Sequence, residues 1–253
     1  VTLRIITSPA KKMRVIDASP LPRSTPALLG RTRLLLEALR RLSPAEAQEL
    51  WACSDRLAAL NYDRLRSMDL DRGLTAAAVS YEGIQYQHMA PEVMTEGELA
   101  WLDEHLRILS GFYGMLRPLD GVTPYRLEMQ ARLAVGGARN LYEFWGPTLH
   151  DALAAECDLI VNVASVEYTR AVTPWMRPDG PKMLTCLFCV ERTGRLRQPA
   201  TEAKAARGTF IRWCAERGVQ DAAELAAFSE RGYRLRADDS DEQTLVFVRD
   251  ASA

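Results

Sequence analysis

No apolar run in these 253 residues approaches the roughly 20 residues that cross a bilayer. A membrane partner is therefore not expected. Val1 to Thr7 lacks the long apolar core and cleavage site of a secretory signal, so the chain reads as a soluble cytoplasmic protein. No GxGxxG follows a strand and no GxxxxGK[ST] occurs, which removes the ordinary nucleotide folds. No GxSxG marks a hydrolase elbow. Histidine is scarce: His88, His105 and His150 are scattered, with no HxxxH. No metal site and no cofactor are expected from that set. Lysine is scarcer than arginine, with only Lys11, Lys12, Lys182 and Lys204. The net charge of −1 gives the whole molecule no field that seeks polyanions, so any affinity for nucleic acid must come from a local patch. Cys53, Cys157, Cys186, Cys189 and Cys214 make no even disulfide framework. Cys186 and Cys189 form a CxxC inside an apolar run, where a strand would send them to opposite faces.

What is present reads as one mixed α/β (α+β) domain over residues 1–253, with a central mixed sheet and surrounding helices. Leu3 to Ile6 is a buried strand stopped by Ser8-Pro9, which puts Lys11 and Lys12 just past a strand's carboxyl end, a favoured place for function in α/β sheets. Residues 18–26, with Pro20, Pro22 and Pro26, form an extended surface connection. Leu28, Leu35 and Leu39 mark one helix. Ser43-Pro44-Ala45-Glu46 is a capping box opening a second that runs through Ala58, with Asn61 and Arg64 at or after its end. Val79 to Pro91 reads as mixed strand and loop. Thr95 to Glu98 is another capping box. Leu99, Leu102, Leu106 and Leu109 then predict a helix capped at Gly111. A helix from Leu141 to Leu153, strands at Leu159–Val163 and Met183–Val190, and a helix at Ala200–Arg217 follow. Gly232–Leu235 and Thr244–Arg249 make a final antiparallel pair.

Charge among apolar and turn-forming residues is the unusual feature. Lys11, Arg107, Arg117, Arg126, Glu128, Asn162, Glu167, Lys204 and Arg207 all sit in such contexts. Buried polar groups must find partners or lose a large desolvation energy. The set is therefore either a network of structural ion pairs or an anion-binding cleft, and the residues alone leave both open. Gly111-Phe112-Tyr113-Gly114 is either a hairpin between helices that offers N–H groups to phosphate or a plain helix end.

Several stretches resemble the YaaA family. They are Ser8-Pro9-Ala10-Lys11-Lys12, Leu60-Asn61-Tyr62-Asp63-Arg64, Tyr81-Glu82-Gly83-Ile84-Gln85-Tyr86 and Leu106 to Asp120. Pro124-Tyr125-Arg126-Leu127-Glu128-Met129, Phe144-Trp145-Gly146, Asn162 to Tyr168 and Ala206-Arg207-Gly208 continue the match in order. The chain departs from the pattern at Val163, Cys189 and Ala205. The resemblance implies a fold of the family's own with a positively charged cleft and a helix-hairpin-helix-like element. It also implies a cytoplasmic bacterial role in the peroxide-stress response, linked to DNA repair and to limiting free-iron damage.

The expectation that follows is binding to DNA, duplex or structured, through backbone phosphates with little sequence choice. Lys11, Lys12, Arg64, Arg107, Arg117, Arg126, Lys204 and Arg207 are the candidate anion-binding residues. Ser8, Asn61, Gly111, Tyr113, Gly114, Tyr125, Asn162 and Ser165 would support them. The alternative is an enzyme acting on a nucleotide or other small anion, with Lys11 as nucleophile or base and Glu128 or Glu167 carrying the proton. Direct iron binding is a weaker third reading, against which the lack of clustered His or Cys argues.

Overall fold

A computed structural model describes residues 2–16 and 20–250; Ala18 and Ser19 of the expected surface connection lie outside them. Strand β1 (Leu3–Thr7) leads through a loop to β2 (Lys12–Met13). Helix α1 (Leu29–Arg40) buries Leu35, Leu36 and Leu39. The capping box at Ser43 starts α2 (Pro44–Trp51), but Ala52 turns left-handed at φ 43° and Ser54 starts a new helix, α3 (Asp55–Ser67). The single helix expected here is therefore two, and Asn61 and Arg64 lie inside the second. β3 (Thr75–Ala76), α4 (Ala77–Ser80), β4 (Tyr81–Glu82) and α5 (Ile84–Met89) come next. Most of the stretch expected as strand and loop is thus helical.

Thr95 caps α6 (Glu96–His105) with both bonds of its box in place. The helix does not run on to Leu109. Leu106 leaves the helix and residues Leu106–Ser110 form β5, buried at every position. A strand covered on both faces shows no alternation, and a short apolar run is then ambiguous between helix and strand. Pairing of Ile5, Ile6 and Thr7 with Leu106, Arg107 and Ile108 decides it. After β6 (Gly114–Leu116) and β7 (Gly121–Val122), Asn140 caps α7 (Leu141–Trp145). Gly146, at φ +48°, and Pro147 break that helix from α8 (Thr148–Ala154), so the segment expected as one helix is again two.

The remaining elements are β8 (Leu159–Asn162), α9 (Val166–Thr169), β9 (Lys182–Arg192), β10 (Arg195–Arg197), α10 (Ala200–Arg217), β11 (Arg234–Leu235) and β12 (Thr244–Asp250). The main sheet has eight strands in the order β11-β12-β9-β8-β1-β5-β6, with β10 folded back on β9. Its middle five, β12, β9, β8, β1 and β5, are parallel; β11 and β6 are antiparallel edges. β1 and β5 are buried at nearly every position, as parallel strands covered on both faces are, whereas β9 alternates buried and half-buried residues from Met183 to Phe188. Cys186 enters the main core, while Cys189 packs with Val246 and Val248 in a separate cluster. The two thiols of the CxxC thus lie on opposite faces, and burial pushes both up. Among the described residues no helix is long and apolar enough to cross a membrane.

Candidate anion-binding cavity

Parallel strands deliver their carboxyl ends to one edge of the sheet, and crevices outside those ends are where open α/β sheets bind ligands. Ile5 and Ile6 of β1 pair with Val161 and Asn162 of β8, so the segments after both strands emerge side by side. There the Ser165 backbone N–H donates to Ser8 Oγ at 2.8 Å, and the two hydroxyls stand 3.1 Å apart. Asn162 folds the turn after β8: its Oδ1 accepts from Ala164 N at 3.0 Å and from the Thr169 hydroxyl at 3.1 Å. Tyr86 on α5 donates its hydroxyl to the Ser8 carbonyl at 3.0 Å, and Gln85 Nε2 donates to Thr7 Oγ1 at 2.5 Å. Lys12 pairs with Glu82 in the β2–β4 ladder.

These contacts enclose a cavity of about 460 Å³ beyond the strand ends. Of the residues singled out from sequence, it brings together Ser8, Lys11, Lys12, Glu128, Ser165, Glu167, Lys204 and Arg207. Lys11, Lys12 and Lys204 are exposed and Arg207 is half-buried. Lys204 and Arg207 are three apart on α10 and so share a helix face. The Lys11 Nζ lies 2.7 Å from Glu128 Oε2, and Arg126 Nη2 lies 3.4 Å from Glu128 Oε1. Glu167 differs. It accepts from Gln130 N at 3.3 Å and makes no ion pair among the described residues. Burial, followed by the Glu128 charge, pushes its carboxyl above the ordinary range.

Arg207 is the least satisfied group in the cavity. Its Nε is shut from solvent with no acceptor, and among the described residues no carboxylate pairs with its guanidinium. Burial lowers its pKa, yet a guanidinium stays charged in proteins.

The other candidates lie elsewhere. Arg107 is 4% exposed; its Nε is 2.6 Å from Glu156, and Nη1 reaches the Asp103 and Leu106 carbonyls. It is a structural ion pair. Arg117 is exposed and bonds Asp103 at 2.6 Å, the same carboxylate that accepts from Leu119 N. Arg64 is half-buried on α3 and off the cavity wall, and Asn61 returns its amide to the Leu57 carbonyl at 2.7 Å. Arg126 lines an adjoining cavity of about 620 Å³ that also contains Glu128.

The Gly111–Gly114 turn joins two strands, β5 and β6, rather than two helices. Its Phe112 and Tyr113 N–H groups both donate to Ser110 Oγ, at 3.2 and 2.9 Å, which leaves them committed inside the fold. Tyr125 bonds Ser110 at 2.6 Å and Tyr81 at 2.8 Å, and Tyr113 accepts from Thr123 N. A Cβ at Gly111 would stand 2.5 Å from the Leu127 carbonyl oxygen. The bare glycine thus lets the segment bearing Glu128 lie flat against the turn. This stretch positions the cavity from behind.

Glu82, Gly83, Ile84, Gln85, Tyr86 and Tyr168 also line the cavity, and sequence reasoning gave them no site role. The available signal was Gly83 between Glu82 and the Ile84-Gln85-Tyr86-Gln87 start of α5. Among the described residues no group of three His, Cys, Asp or Glu side chains is placed to hold a metal ion.

Comparison with known proteins places the chain among relatives. Residues 3–239 match a family model described as peroxide stress protein YaaA. A UPF0246 protein of Pediococcus pentosaceus is 46% identical over 247 residues, covering 98% of each chain. Another, from Lactiplantibacillus plantarum, is also 46% identical, over 97% of this chain and 99% of its own. One from Limosilactobacillus fermentum is 47% identical, over 98% of this chain and all of its own length.

Proposed function

The chain belongs to the YaaA family of peroxide stress proteins, and from that premise we propose that it serves the peroxide-stress response by binding DNA, in the cytoplasm, through the cavity and its rim. The observation that carries this reading is Arg207. A half-buried guanidinium with an unsatisfied Nε and, among the described residues, no counter-charge is costly unless an anion completes it. Exposed Lys11, Lys12 and Lys204 surround the same opening and suit backbone phosphates, which give affinity without sequence choice. Protection of DNA, support of its repair and limitation of iron-dependent damage would follow from occupancy of the strand.

The test is binding of duplex, bubble and junction DNA across a salt series. Affinity should fall steeply with salt; Lys204→Ala should reduce the slope by about one on every substrate, and Arg207→Gln by about one only where an unpaired unit reaches into the cavity. Binding that ignores salt, or no binding at all, sinks the reading.

A second reading has its own observation. Lys11 Nζ and Glu128 Oε2 meet at 2.7 Å in a cavity within the size range of small-molecule sites. An enzyme acting on a nucleotide or other small anion would use Lys11 as base or nucleophile and Glu128 or Glu167 to carry the proton. Turnover of an anionic substrate, abolished by Lys11→Met in a folded protein, would favour it over DNA binding alone.

A further inference from the structure

The groups around the cavity are sorted by depth. Lys11, with 64% of its side chain exposed, stands at the rim with Lys12 and Lys204, while Arg207 lies half-buried within. A space of about 460 Å³ has the size of a small-molecule pocket, and a duplex cannot enter it. The rim can meet a strand's phosphates, but only a single unit can reach Arg207.

The interior walls narrow the chemistry further. Ile84, Tyr86 and Tyr168 offer apolar surface, and Glu128 and Glu167 bring carboxylates into the same space. Carboxylates repel a phosphate, so a site for phosphate alone would not carry them. They accept hydrogen bonds from amino groups on base edges, as Glu and Asp do from the cytosine N4 amino group. A cation for the phosphate, apolar surface for a ring and acceptors for ring N–H groups together describe one ligand.

Resting on the anion-binding reading of this cavity, we infer that it is a subsite for one nucleotide whose base carries an exocyclic amino group. The phosphate lies on Arg207, the ring against Ile84 and Tyr86, and the amino group at Glu128 or Glu167. The nucleotide comes either free or as an unpaired unit of a strand; the chemistry recognised is the same.

The test is calorimetric titration of the full chain with dCMP, dAMP, dUMP and inorganic phosphate. dCMP and dUMP differ where one presents an amino donor and the other a carbonyl acceptor. The expected result is saturable binding of dCMP or dAMP, at least about tenfold tighter than dUMP or phosphate, and weakened about tenfold or more by Arg207→Gln. Ile84→Trp, which fills the cavity and keeps every charge, should abolish nucleotide binding and leave duplex binding at the rim. Folding of both variants is checked by circular dichroism.

The inference is overturned if no nucleotide binds at concentrations on the order of millimolar. It is equally overturned if inorganic phosphate or dUMP binds as well as dCMP and dAMP, or if a folded Ile84→Trp binds them unchanged. Nucleotide binding without duplex binding would sink the DNA reading and keep this one, and duplex binding without nucleotide binding would do the reverse. A single-stranded oligonucleotide at least about tenfold tighter than its free nucleotide assigns the subsite to a strand; equal affinity assigns it to the free nucleotide.

Discussion

Gly208 of α10 lies so close to Gln85 of α5 that a Cβ at 208 would stand 2.0 Å from the Gln85 carbonyl oxygen. The neighbouring residues, Arg207 and Tyr86, both line the cavity. Bare backbone at one position therefore sets how closely the two helices bring a guanidinium to an aromatic wall.

The first prediction follows from that contact. Alanine is favoured over glycine in a helix by about 1 kcal/mol, and at an open site Gly208→Ala would stabilise. Here the obstructing atom is backbone and cannot rotate away. Overpacking costs typically about 1–3 kcal/mol, so the net effect should be destabilisation by up to about 2 kcal/mol, with weaker anion binding. Urea denaturation reads the first and DNA titration the second. A more stable Gly208→Ala protein would show that the helices part freely.

Arg107 and Arg207 should respond in opposite ways. Arg107 is paired with Glu156, whose side chain is 33% exposed. Glu156→Ala strands a buried guanidinium that keeps only carbonyl partners, costing about 2–3 kcal/mol. Anion binding should not change. Arg207→Gln removes a charge that has no ion-pair partner among the described residues, so stability should hold or rise while binding falls. Paired thermal melts and salt-dependent titrations of both variants check this. Equal loss of stability would mean that Arg207 has a hidden structural partner.

That contrast marks the limit of what the sequence could tell. Short apolar runs made β1 and β8 legible and alternation made β12 legible, and α10 has the bounds read from the sequence. Leu99 and Leu102 lie in α6 as expected, but Leu106 and Leu109 belong to β5 and were misread, because burial on both faces erased the period-two signal and left helical spacing by coincidence. Arg107 and Arg207 both sit among apolar residues, and local sequence offers nothing to separate them. The difference is Glu156, brought to Arg107 from α8's end by the fold. Lys11 meeting Glu128 is likewise a product of tertiary structure, although both residues were legible as candidates.

Glu167 makes stability depend on pH with a definite sign. Burial, then the Glu128 charge, raises its pKa above the ordinary 4.5, so the folded state holds this proton more tightly than the unfolded chain does. Between the ordinary and the raised value the folded protein binds more protons. Stability therefore falls as pH rises through that window and stays reduced above it. Glu167→Gln should remove that part of the slope and stabilise the protein at neutral pH. Chemical denaturation from pH 4 to pH 8 measures it. An unchanged slope in the variant would assign the dependence to another group, such as Asp120, which burial also pushes up.

The last prediction concerns the hydroxyl chain behind the cavity. Tyr81 bonds Tyr125 at 2.8 Å, Tyr125 bonds Ser110 at 2.6 Å, and Ser110 accepts from the Phe112 and Tyr113 N–H groups. Burial pushes Tyr125 up to about 12, so its proton remains available for bonding at any ordinary pH. Tyr125→Phe keeps the ring, which stacks on Phe112 with centroids 5.0 Å apart, and deletes only the bridging oxygen. Tyr81 then keeps a fully buried hydroxyl without that partner, a cost of about 1–3 kcal/mol. Ser110 still accepts both N–H groups, so the turn should survive and hydrogen exchange at Phe112 and Tyr113 should accelerate only by the loss in global stability. Faster exchange at those two amides than elsewhere in β5 would show that Tyr125, rather than Ser110 alone, holds the turn against which the Glu128 segment rests.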